Sequence, residues 1–157
     1  MKFRIESLTR DHIDRCVDVF VAAYTKPDQL TWTPGDVRIR LDDLWNEPNR
    51  IGLVAIDGPE HRLSGFAIGN FVQVCDGRSL RIAELCVHPS RRGYGLGSRL
   101  LVGMERLAIE HGANSAYLTV QPDSVDFCRR LGYAPQSEWV SLGRRLGDSN
   151  QDSMLLP

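Results

Sequence analysis

Phe3 and Ile5 alternate with polar neighbours at the start of the chain, the period-two pattern of a strand, which we place as ending near Leu8. The period then lengthens. Thr9 is a candidate helix cap, and Ile13, Val17, Phe20 and Val21 follow at helical spacing, so a helix is predicted that ends by Pro27. A second helix start is written at Thr33-Pro34 with Asp36 behind it: threonine caps, proline suits the first turn, and an acid there complements the helix dipole. Val37, Leu41 and Leu44 are its predicted buried stripe. From Arg50 the period returns to two. Ile51 to Ile56, a turn at Asp57-Gly58-Pro59-Glu60 and Leu63 to Val74 read as a hairpin, and Asp76-Gly77 turns the chain into a third antiparallel strand, Leu80 to Val87. Beyond a glycine-rich segment, Leu100, Leu101, Met104, Leu107 and Ala108 mark a helix closed by His111-Gly112. A strand from Ala116 to Val120, a short helix from Ser124 to Leu131 and a last strand around Trp139 to Leu142 complete the prediction. The fold class is α/β: a mixed sheet in which an antiparallel meander joins a parallel strand through a helical crossover, flanked by helices. Residues 1–146 read as one domain, and 147–157 as a polar, flexible tail.

Composition narrows the function. At 157 residues, 42% hydrophobic and 25% charged, the chain has the profile of one soluble globular domain. Its formal net charge of −1 argues against a broadly basic nucleic-acid surface. No apolar run approaches the roughly 20 residues of a membrane span, and Met1-Lys2-Phe3-Arg4-Ile5 does not open like a signal peptide, so a cytoplasmic protein without a membrane partner is expected. Cys16, Cys75, Cys86 and Cys128 form no CxxC pair and share no metal-ligand spacing with the four histidines; free thiols and no metal are expected.

The chemistry concentrates in Glu84-Leu85-Cys86-Val87-His88-Pro89-Ser90-Arg91-Arg92-Gly93-Tyr94-Gly95-Leu96-Gly97-Ser98. A strand stopped by a proline, a loop with glycines at alternate positions and then a helix is a geometry that brings backbone N–H groups close to a phosphate. Gly93, Gly95 and Gly97 lack the spacing of a dinucleotide fingerprint, and no lysine stands where a P-loop needs one. Arg92-Gly93-Tyr94-Gly95-Leu96-Gly97 fits R-x-x-G-x-G, and Phe127-Cys128-Arg129-Arg130-Leu131-Gly132-Tyr133 is similar to a distal F-Y-x-x-x-G-F segment. With these motifs in this order the chain, from about Arg50 to Tyr133, resembles the GNAT superfamily of N-acetyltransferases.

The resemblance implies an enzyme that moves an acetyl group from acetyl-CoA to a primary amine. It implies a cofactor site in which Arg92, Gly93, Tyr94, Gly95, Leu96, Gly97 and Ser98 hold the pyrophosphate, while backbone groups of Cys86 and Val87, on a splayed fourth strand, meet the pantetheine arm. Glu84 is the implied general base, acting through a water. On a strand it shares a face with Cys86 and His88, with Ala83, Leu85 and Val87 expected on the other. A solvated or salt-bridged glutamate is the alternative. Cys128 stands where many members carry a tyrosine that protonates the leaving thiolate. It is either that acid or a small buried hydrophobe, and Tyr133 or Tyr94 can substitute through water.

Charge is unevenly spread. Residues 11–47 carry eight acids against four bases, a net of −4, and residues 78–106 carry six arginines against Glu84 and Glu105, a net of +4. A basic end for an anionic donor and an acidic end for a cationic amine fit that division. Phe20, Tyr24, Trp32 and Trp45 belong either to an acceptor cleft or to the core. A small cationic amine is the favoured acceptor; a peptide or protein amine, and a non-catalytic acyl-CoA-binding module, are the alternatives. A homodimer is compatible with the sequence.

Overall fold

Five strands form one mixed sheet in sequential order in a computed structural model of the chain, which describes residues 2–146 apart from Asp28, Leu30, Ser137 and Trp139. The strands β1 (Phe3–Ser7), β2 (Arg50–Asp57), β3 (Arg62–Val74) and β4 (Gly77–Val87) are antiparallel neighbours, and β5 (Ala113–Leu118) runs parallel to β4. Two helices, α1 (Ile13–Tyr24) and α2 (Pro34–Asn46), separate β1 from β2; α3 (Leu96–Glu110) makes the crossover to β5, and α4 (Val125–Arg130) follows it.

The caps written in the sequence are used. Thr33 Oγ1 accepts from the Asp36 N–H at 3.1 Å with Pro34 in the first turn, which fixes where α2 begins. Thr9 precedes a short 3₁₀ turn, Arg10–His12, before α1 starts, and its N–H donates to His12 Nδ1 at 3.0 Å. Each helix stripe then finds one face of the sheet. Val17, Phe20, Val37, Leu41 and Leu44 pack with Phe66, Ile68 and Cys86 on one side; Leu96, Leu100, Leu101 and Met104 pack with Ala67, Phe71, Leu80 and Ile82 on the other.

The short helix predicted from Ser124 to Leu131 is α4, entered through a 3₁₀ turn at Pro122–Ser124. Three expectations are corrected. The strand after α3 lies at Ala113–Leu118 rather than 116–120, because Gly112, at φ 79°, reverses the chain directly into it. The last strand is not formed where the chain is described: Val140 and Leu142 are 80% and 90% exposed and in no ladder, while Trp139 lies outside the described residues. The expected tail, 147–157, also lies outside them.

The third correction shapes the site. Opposite Ile68–Gly69 the β3–β4 register shifts, and Ala83 is the extra residue on β4. Before that bulge, Leu80 and Ile82 face α3; after it, Leu85 and Val87 do, and Cys86 and Ala83 turn to the α1–α2 side. Ala83 therefore does not pack with Leu85 and Val87 as strict alternation requires. A bulge changes the facing of every later residue on its strand. Glycine makes it possible, since a Cβ at Gly69 would stand 2.1 Å from the Arg81 carbonyl oxygen.

Candidate active site

Beyond Ile82 the fourth and fifth strands part. β4 pairs with β5 over Arg78–Ile82 and continues along β3 alone to Val87, so its outer edge is open over Glu84–Val87. The direction of the backbone groups there follows from neighbours. His88 donates its N–H to the Ser64 carbonyl at 2.8 Å, and the Cys86 carbonyl also faces β3, where it would meet a Cβ at Gly65 at 2.9 Å. Alternate residues of an extended strand face opposite edges, so Leu85 and Val87 present N–H and C=O to the opening. Of the two residues singled out for the donor arm, Val87 is turned to the gap and Cys86 is turned away, its thiol buried in the core. Leu85 shares Val87's direction and carries no sequence motif that marks it.

The glycine loop closes the wide end of this opening. Gly93 and Gly95 have φ of 82° and 76°, and no atom lies within 4 Å of a Cβ built on either, so their backbone is bare toward solvent. Gly95 caps α3 in the left-handed conformation. The first N–H groups of α3, from Leu96 through Ser98, have no carbonyl one turn earlier to bond, which leaves a ready anion site. Leu96 itself sends its side chain into the core, at 1% exposed, so only its backbone is available there. Gly97 lets α4 come close: a Cβ would meet Phe127 at 3.2 Å. Tyr94 is 55% exposed beside the loop. These features fit a pyrophosphate. Arg92 reaches the other way, donating to the Ala23 carbonyl at 3.2 Å, and Arg91 is held by Asp57 at 2.7 Å. Across the opening Lys26 stands 3.2 Å from Gln121 Oε1 and 3.6 Å from Asp123, tying the end of α1 to the connection after β5.

The bulge points Glu84 at α1 and α2, where its side chain is only 8% exposed. One carboxylate oxygen accepts from Arg40 Nε at 2.5 Å and the other from the Tyr24 hydroxyl at 3.4 Å. Burial pushes the Glu84 carboxyl above its usual range against the pull of Arg40 and the Tyr24 hydroxyl. The same burial, with Cys86 and Glu84 nearby, raises the Tyr24 phenol, and it raises the Cys86 thiol as well. Arg40 opens onto a cavity of about 590 Å³ under α2, lined also by Trp32, Asp36, Ile39, Asp43, Glu47 and Arg81. Trp32, packed edge-on against Phe20 at 5.3 Å, is the aromatic that walls it; Phe20 belongs to the core, and Trp45 is stacked under Arg50. Tyr24 was one of the aromatic cleft candidates, and the structure turns its hydroxyl to Glu84; Arg40 was invisible as a site residue in the sequence, because its partner is a strand residue 44 positions away.

Cys128 sits on the far side of the opening. It is buried at 5% exposed, burial raises its thiol, and it lines a second cavity of about 530 Å³ with Glu105, Leu118 and Tyr133. The Tyr133 hydroxyl donates to Glu105 at 2.8 Å. All four cysteines are free thiols. No group of three or more His, Cys, Asp or Glu among the described residues is placed to hold a metal, and no described helix is long and apolar enough to cross a membrane.

Known proteins share this fold. The model of the acetyltransferase (GNAT) family matches residues 14–133. A mycothiol acetyltransferase from Clavibacter sepedonicus is 33% identical over 121 residues; the match takes in 76% of this chain and 38% of that protein, so the chain spans well under half the length of this relative. A putative acetyl transferase from Pyrococcus furiosus superposes with a TM-score of 0.75 at 19% identity, covering 92% of this chain and 100% of the other. An aminoglycoside N-acetyltransferase solved with CoA superposes with a TM-score of 0.71 at 14% identity, covering 92% and 95%. At these identities the two structures speak for the fold.

Proposed function

The chain belongs to the GNAT acetyltransferase family, and from that premise we propose that it acetylates a small cationic primary amine at the expense of acetyl-CoA, with Glu84 as general base through a water. The observation that carries the proposal is the placement of Glu84. A bulge turns this carboxylate under α1 and α2, beside the open edge of β4 and behind a cavity whose lining includes Asp36, Asp43 and Glu47. Burying a carboxylate is costly, and a functional demand accounts for keeping one there.

Acetyl-CoA, when bound, supplies the thioester. The chain's part is positioning and proton handling. Backbone N–H groups of residues 93–98 are suited to hold the phosphates, and Leu85 and Val87 to bond the extended arm by adding a partner to the open strand edge. The Val87 N–H is the candidate donor to a developing oxyanion. Glu84, with its affinity for a proton raised by burial, takes the one that the acceptor ammonium must lose before attack. Cys128, kept protonated by burial, is the candidate proton source on the opposite side. With Arg81 paired to Glu47 and Arg40 to Glu84, the α2 cavity keeps Asp36, Asp43 and a tryptophan in its lining, which favours a cation over an anionic acceptor.

The test is release of free thiol from acetyl-CoA across a panel of acceptors: alkylamines, a polyamine, an aminoglycoside, a peptide amino terminus and, after the name of the curated relatives, a mycothiol-related acceptor. Release with a small cationic amine, above the rate with water, is the expected result. Binding of acetyl-CoA with no release on any amine contradicts catalysis and leaves an acyl-CoA-binding module.

A further inference from the structure

Glu84 cannot reach an acceptor as the side chains stand. Its carboxylate is buried, and Arg40, whose side chain is itself 37% exposed, caps it from the cavity side. The other groups facing it are the Tyr24 hydroxyl on α1 and, on its own strand, Cys86, a buried thiol. Neither is a cation. Arg40 is thus the partner that balances this charge, from the direction an acceptor must come.

The same cavity offers Arg40 a second place. Asp43 follows it by three residues on α2, the spacing at which helix side chains are neighbours, and lines the cavity with it. Other charges there are engaged: Asp36 accepts from Thr33 Oγ1 at 2.6 Å, and Glu47 pairs with Arg81 at 3.6 Å. Asp43 has no hydrogen-bond or ion-pair partner among the described residues.

We propose that Arg40 stands in for the acceptor: its guanidinium holds the place beside Glu84 that the acceptor's ammonium and its bridging water take, and acceptor binding passes it to Asp43 on the same helix. This rests on Glu84 being the base. It makes Arg40 a specificity-determining residue. An ammonium replaces the guanidinium charge for charge, whereas an amine that is neutral at working pH, such as an arylamine, would leave the buried carboxylate without a counter-charge. The exchange also sets acceptor affinity, since each binding event must first displace a side chain that occupies the site.

Cadaverine binding, measured by calorimetry with CoA saturating, tests the proposal on wild type, R40Q, R40K and D43N. Removing the competitor in R40Q should tighten cadaverine by about fivefold, the scale of an ion pair at the edge of solvent. R40K, which restores a cation, should return it toward wild type, and D43N, which removes the receiving carboxylate, should weaken it. In turnover with the best amine of the panel, R40Q should lower the KM for the amine while the KM for acetyl-CoA stays put. A merely structural Arg40 would alter thermal stability and kcat without this split. Cadaverine affinity unchanged, weakened or unmeasurable in R40Q overturns the proposal; should R40Q not fold, D43N decides it, and unchanged affinity there overturns it. Turnover of E84Q separates the two levels. An active E84Q removes the base assignment and this proposal with it, whereas an inactive E84Q beside an unmoved R40Q removes the Arg40 exchange alone.

Discussion

At the scale of single residues, the two carboxylate and thiol candidates stand in different situations. Glu84 is compensated by Arg40 and Tyr24, while Cys128 meets only burial, which keeps its thiol protonated. A CoA-type thiol, with an ordinary pKa near about 8.5, leaves without strong acid assistance. C128A should therefore lower kcat by less than about tenfold, against the hundredfold or more expected of losing a general base. Steady-state kinetics of the two variants side by side checks this; equal losses would make Cys128 an indispensable donor. Glu84 was legible in the sequence because it stands in an apolar strand just ahead of a glycine loop. Arg40 was not: on α2 it is one of several charged residues, and only the fold brings its side chain within reach of Glu84 on β4.

At the scale of elements, the bulge on β4 is the device on which the site depends. Its trace is present in the sequence, where the apolar positions Leu80, Ile82, Leu85 and Val87 step by two, three and two. Strict alternation misses it and misplaces Ala83. Gly69→Ala drives a methyl group into the Arg81 carbonyl, which neighbouring strands hold in place. We expect it to cost about 2 kcal/mol or more in denaturant unfolding and to lose activity beyond that, since a repaired register would turn Glu84 toward α3. Gly95→Ala tests the loop instead. Its Cβ meets nothing, so the penalty is the left-handed backbone alone, about 1–2 kcal/mol. The expected outcome is weaker CoA binding by calorimetry with little change in acceptor affinity. The helices and the meander were legible because caps and periodicity agreed; the strand predicted around Trp139 was not formed at Val140–Leu142, because alternation records only an apolar pattern and cannot supply a partner edge.

At the scale of the molecule, the near-zero net charge contains a basic region at residues 78–106 and acidic first helices, but the fold ties Arg91 to Asp57, Arg92 to the Ala23 carbonyl and Arg99 to the Phe3 carbonyl, so the glycine loop's backbone rather than these arginines faces the opening. A ligand that bridges the glycine loop and the open β4 edge should stabilise the whole domain. CoA at about a hundredfold over its Kd should raise the melting temperature by about 5–10 °C, and no shift would remove the loop as its site. The claim on which the account turns is that the buried Glu84 is the base, and the pH dependence of kcat/KM for wild type against E84Q tests it most directly. Because burial raises the Glu84 carboxyl, wild-type activity should fall with acid along a limb lying above the ordinary glutamate range of about 4.3, as the base becomes protonated. In E84Q that limb should disappear and the rate drop by about a hundredfold or more; an E84Q profile that keeps the wild-type limb and rate would contradict the account.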